Sequence, residues 1–145
     1  MPIKNYTTTV TADKSILQIQ NALVEHGASA FMFEYEDGRI SSLKFALDYK
    51  GQRLGFSLPV NWKKYHTVLE KQLLKPRSRK KISEERAYMV AWANLRDWVL
   101  AQMALYETEL VELPQVFLPF VTVNAKGDTL YDKFAENKFL LSSGE

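Results

Sequence analysis

Five cations stand within the nine residues KPRSRKKIS, Lys75 to Ser83. Three more precede them, so Lys63, Lys64, Lys71, Lys75, Arg77, Arg79, Lys80 and Lys81 form the candidate nucleic-acid-binding set. Side chains of this type neutralise phosphates and release counterions, which gives an affinity that falls steeply with salt and discriminates little between base sequences. Lys63 and Lys64 fall where a helix should begin, and the N–H groups of a first helical turn attract the same anions. The competing reading is a solvated linker whose charges only keep it wet.

Other chemistry is thinly supplied. The absence of cysteine removes thiol nucleophiles, thiolate metal sites and disulfides together. His26 and His66 have no carboxylate or second histidine at zinc-ligand spacing, and each fits a structural role, His26 at a helix C-terminus and His66 at the margin of an apolar face. Glu34, Glu36 and Asp37 could hold Mg²⁺ or transfer protons, but they alternate with aromatics and so belong to the wet face of a strand. No GxSxG, P-loop or GxGxxG occurs. No catalytic residue, metal or cofactor is therefore expected. Trp62, Trp92 and Trp98 fall on apolar stripes and read as core, with base stacking as the alternative.

The elements that must position the cations follow from periodicity. Tyr6–Val10, rich in Thr and Val, suits a strand. Thr11 or Asp13 can cap a first helix in which Ile16, Ile19 and Leu23 recur at helical spacing, and Gly27 supplies its stop. The period then becomes two. Phe31, Phe33 and Tyr35, then Leu43, Phe45 and Leu47, then Leu54, Phe56 and Leu58 read as one face of a three-stranded antiparallel meander. Parity asks for an odd first loop, Glu36-Asp37-Gly38, and an even second one, Lys50-Gly51, which pairs Leu47 with Leu54. Asn61 caps a second helix striped by Trp62, Tyr65, Leu69 and Leu73, and Pro76 ends it. Ser83, Glu84 and Glu85 open a long helix running to about Leu110, with Arg86, Asn94, Arg96, Asp97, Glu107 and Thr108 on its polar arc. ELPQVFLPFVTV and NAKGDTLYDKF then predict a helical turn and a strand or hairpin turning at Lys126-Gly127-Asp128.

The expected architecture is α+β: a three- or four-stranded antiparallel sheet packed by two shorter helices, plus one long amphipathic helix and a C-terminal extension. The 145 residues read as a single domain, 1–145, with a strand-helix-meander-helix unit over 1–75, a basic linker over 76–83, the long helix over 84–110 and the extension over 111–145. Charge is sorted along it. Residues 63–86 hold nine Lys or Arg against three Glu, whereas 87–145 hold four basic and eight acidic side chains, although the whole chain carries only +2. With 46% hydrophobic residues, no cysteine and no apolar run of signal or membrane-spanning length, a cytoplasmic location is expected, with no membrane partner. The long helix has more apolar length than a small sheet covers, which predicts pairing with a second copy as a homodimer.

Two resemblances bear on function. The order helix, three antiparallel strands, helix over residues 11–75, with Lys63-Lys64 opening the closing helix, is similar to the double-stranded-RNA-binding domain. Most of the length, in MPIKNYTTTV, HGAS with the following DGR, VAWANLRDWVLAQMALYE, and VELPQVFLPF followed by TLYDKF, resembles a family of short bacteriophage and prophage proteins to which no activity is attached. That resemblance implies a viral or mobile-element origin. The expected function is a non-enzymatic accessory protein that binds DNA or RNA through its basic patch. The alternatives are a protein-binding inhibitor of a host defence or replication complex, and a structural part in virion assembly.

Overall fold

The computed structural model describes residues 1–77 and 79–140, so Ser78 in the expected linker and residues 141–145 of the expected extension lie outside the described residues. Alternation after Gly27 produces β1 (Ala28–Glu36), β2 (Arg39–Tyr49) and β3 (Gln52–Pro59), one antiparallel sheet in the order β1-β2-β3. The second hairpin has the predicted register: Leu47 faces Leu54, Phe45 faces Phe56 and Leu43 faces Leu58, across a Lys50-Gly51 turn with both φ angles positive.

The first hairpin reaches the predicted faces by a different device. Its loop is the two-residue turn Asp37-Gly38 (φ 53° and 78°), closed by Glu36 and Arg39, not the three-residue loop that parity suggested. Parity is restored inside β2, where Ser41 is an extra residue between the Tyr35–Ile40 and Glu34–Ser42 pairs. Beyond this bulge Phe33 meets Leu43 and Phe31 meets Phe45. Tyr35 lies on the turn side of it and stays 66% exposed, outside the core that the alternation assigned to it.

Three principal helices cover the aromatic face: α1 (Ala12–Glu25), α2 (Trp62–Leu73) and α3 (Glu84–Glu107). Their starts are the capped ones expected, since Thr11, Asn61 and Ser83 side chains accept from the N–H groups of Lys14, Lys64 and Arg86. The long helix stops three residues short of Leu110. Thr108 and Glu109 donate backward to the carbonyls of Ala104 and Tyr106, Glu109 takes φ 62°, and Leu110 is left exposed.

α3 is the centre of the helical layer, packed by α1 and α2, and Ala87, Tyr88, Val90, Ala91, Trp92 and Ala93 are all buried. The middle of its polar arc is covered too. Asn5 donates to Asn94 Oδ1 (3.0 Å) and Asp97 Oδ2 (2.9 Å), Lys4 Nζ lies 3.2 Å from Asp97, and Arg96 donates to Ser15 Oγ (3.1 Å). The N-terminal segment is thus strapped over α3. The strand expected over Tyr6–Val10 does not form: Thr8 N–H closes a turn onto Asn5 O, Val10 N–H donates to Thr8 Oγ1, and Arg86 of α3 donates to Thr8 O. The apolar face of the first half of α3, with Val99 and Met103, is buried within the chain, whereas Leu100, Leu105 and Tyr106 are its exposed large apolar residues.

The extension makes the short helix α4 (Leu113–Phe117), a 3₁₀ turn at Leu118–Phe120, and α5 (Leu130–Glu136). Fully buried Phe117 packs edge-on or tilted against Phe45, Phe56 and Trp98 at 5.1–5.7 Å between ring centres. Val121 then bridges to Phe56, and Thr122 N–H donates to Gly55 O at 2.7 Å, so the chain covers the middle of the outer edge of β3. The helix α5 was not anticipated, although its capping box, Thr129 with Asp132, is a sequence signal that T-L-Y-D carries. Among the described residues no helix is long and apolar enough to cross a membrane.

Candidate nucleic-acid interface

The eight cations divide by what lies beside them. Lys63 is committed to the protein: its Nζ sits 2.9 Å from Glu36 Oε1 and 2.7 Å from Asp37 Oδ2, across from the β1–β2 turn. Those bonds hold the lysine above its usual range, and the lysine in turn holds Asp37 below the usual carboxylate range. The first turn of α2 is occupied as well, because Asn61 Oδ1 accepts from Lys64 N–H and Trp62 N–H donates to Val60 O. With two carboxylates alongside, this helix start does not present the open anion site that its position in the sequence suggested.

Lys64 and Lys71, two turns apart, share the face of α2 opposite the buried Trp62 and Leu69, and Lys75 follows beyond the helix end. Arg77, Arg79 and Lys81 continue on the segment that returns to Ser83. All six are exposed, and no carboxylate of the described residues comes within ion-pair distance of any of them. Lys80 is exposed in the same run.

His66 folds that segment back. Its Nε2 donates to Ile82 O at 2.7 Å and its Nδ1 lies 3.4 Å from Glu70, so the end of the basic run is fastened beside the middle of α2. The role expected for His66 was the margin of an apolar face; the structure adds a tether that spacing alone does not reveal. His26 does similar work at the other end of the helical layer, donating from Nδ1 to Ala22 O (2.6 Å) with Nε2 3.2 Å from Glu107.

Elsewhere cations are spent on structure. Arg39 bridges Glu84 (2.9 Å) and Glu85 while its guanidinium lies over the Trp62 and Tyr88 rings at 5.0 and 5.8 Å, and Lys44 meets Glu34 at 2.7 Å. Trp62 and Trp92 are buried and Trp98 packs against Phe117, so these rings are occupied by the core and not presented for stacking. Glu34, Glu36 and Asp37 each hold a lysine, and among the described residues no three His, Asp or Glu side chains converge as a metal cage would require.

The opposite pole is acidic. Asp48, Glu107, Glu109 and Glu112 surround a cleft of about 590 Å³ next to His26 and Tyr106. The 24 residues of α3 separate it from the basic run by about 35 Å. No family model, no curated protein and no solved structure matches this chain.

Proposed function

We propose that this chain is a non-enzymatic accessory protein of a phage or mobile element that holds a nucleic-acid backbone on the outer face of α2 and the segment leading to α3. One observation carries the reading: Lys64 and Lys71 on α2, and Lys75, Arg77, Arg79 and Lys81 on the segment that His66 ties back to it, are exposed with no carboxylate partner among the described residues. Cations left in this way cost nothing to withdraw from an internal ion pair when phosphates arrive. A patch of this kind, with its tryptophans turned inward, grips backbones and reads bases poorly.

The test is anisotropy titration into labelled single- and double-stranded DNA and RNA at two salt concentrations. Binding that weakens steeply with salt, and is lost when Lys71, Lys75, Arg77, Arg79 and Lys81 become Ala, is the expected result. Absence of binding at low salt, or binding indifferent to those five changes, overturns the reading. The alternative, a protein that blocks a host defence or replication complex, draws on the acidic cleft. It would show as no nucleic-acid binding together with capture of a host complex that is lost on charge reversal at Glu107, Glu109 and Glu112.

A further inference from the structure

The two edges of the sheet are treated differently. β3 ends in Pro59 and is covered at its middle by Val121 and Thr122, whereas no segment of the described residues bridges the outer side of β1. β1 is nine residues long, about 30 Å of strand; a bulge at Ser29 interrupts the start of its pairing, but from Ala30 to Glu36 it runs without a bulge and without the Lys, Arg or Pro that often blunt an open edge. Its main-chain groups can be assigned by alternation. Counting back along β2 from the Tyr49–Gln52 closing pair, Ser42, Lys44 and Ala46 turn toward β1, and Ser41 O, turned the other way, accepts from Val60 N–H at 3.0 Å. Their partners Glu34, Met32 and Ala30 therefore bond inward, and Phe31, Phe33 and Tyr35 hold their N–H and C=O groups outward.

We infer that β1 is the seam of a homodimer in which two copies pair their β1 strands antiparallel and form one six-stranded sheet. Full-length overlap fixes the register: Met32 meets Met32 of the second copy at the twofold axis, and Phe31 meets Phe33. Outward-bonding residues then face outward-bonding residues, which gives two narrow pairs and four main-chain hydrogen bonds at the centre. Charge selects the same arrangement. Glu34 and Ala30 lie on either side of Met32, so antiparallel pairing places each Glu34 opposite Ala30 of the second copy, inside the Ser29 bulge, whereas parallel pairing would stack Glu34 on Glu34. The apolar margin that would be covered is present: Met32 is 58% exposed, and Phe31 and Phe33 are only partly buried although they pack on the core.

The experiment is sedimentation velocity of the full chain over a range of concentrations, with amide hydrogen exchange on the same samples. The expected result is a mass that rises from one to two chains, with the amides of Phe31 and Phe33 becoming protected as it does. Met32→Lys, which sets two ammonium groups against each other at the twofold axis, should hold the mass at one chain, whereas Leu105→Lys on α3 should leave the dimer intact. A single-chain mass at every concentration overturns the proposal. So does a dimer that survives Met32→Lys, or one in which Phe31 and Phe33 exchange freely. If Met32→Lys does not fold, as circular dichroism would show, exchange on the unmodified chain decides. The five-alanine variant of the basic run should still dimerise, so this proposal and the nucleic-acid reading fail separately.

Discussion

The polar arc of α3 and the basic run from Lys71 to Lys81 look alike as strings of charged residues, yet they end in opposite circumstances. Asn94, Arg96 and Asp97 are part-buried and bonded to Asn5, Lys4 and Ser15, whereas Lys71, Lys75, Arg77, Arg79 and Lys81 face water. A charged side chain becomes structural when the fold supplies its counter-group and stays available when the fold does not. Lys63 makes the point within one helix turn, since Glu36 and Asp37 claim it and leave its neighbour Lys64 outside.

That contrast can be broken, beginning with its largest expected effect. Replacing Lys71, Lys75, Arg77, Arg79 and Lys81 together by Ala should lower nucleic-acid affinity on the order of a hundredfold or more at low salt and flatten the log affinity against log salt slope by about 4. The same variant should unfold at the denaturant concentration of the parent, because no internal bond is lost. Asp97→Ala should do the reverse. It removes one partner each from Asn5, Arg96 and Lys4 and should cost about 2 kcal/mol in chemical denaturation, while nucleic-acid affinity is unchanged.

The pH dependence sharpens the same comparison. Burial opposes ionisation of Asp97, yet the bonds from Asn5, Arg96 and Lys4 outweigh it and hold the carboxyl below its ordinary value. A depressed folded pKa contributes stability that is fully present above the unfolded value, about 4, and is lost as pH falls through the folded one. Asp97→Asn should therefore flatten the acid limb of melting temperature against pH and leave the neutral region lower but level. The smallest effect belongs to Lys63→Ala, which should keep nucleic-acid affinity within about twofold of the parent because that ammonium is already neutralised by exposed partners. A large loss there would show that the grouping of these cations is wrong.

Much of the fold was legible because it is local. The caps at Thr11, Asn61 and Ser83, the stop at Gly27 and the Lys50-Gly51 turn need only residues a few positions apart. Face assignments in β1 and β2 were also legible, because apolar residues must share one side whatever the loop. The device that aligned them was not, since a bulge at Ser41 and a longer loop satisfy the same parity. The N-terminal strand failed for a related reason: Thr and Val favour extended chain, but pairing needs a partner edge, and this stretch instead turns back on Asn5 with Arg86 of α3 bonded to Thr8 O. In the candidate site, the cluster was visible as a count of charges. Removal of Lys63 from it, and the His66 tether to Ile82, depend on groups 16 to 27 positions away.

Read alone, the amino-acid order determined which residues turn inward, where helices begin and that positive charge gathers between residues 63 and 86, since periodicity, capping and composition act over one or two turns of chain. Tertiary structure decided which charges are free and which sheet edge is open. Both depend on which distant segment the fold brings within bonding distance: Glu36 and Asp37 at Lys63, Thr122 at Gly55, and among the described residues nothing at the outer side of β1.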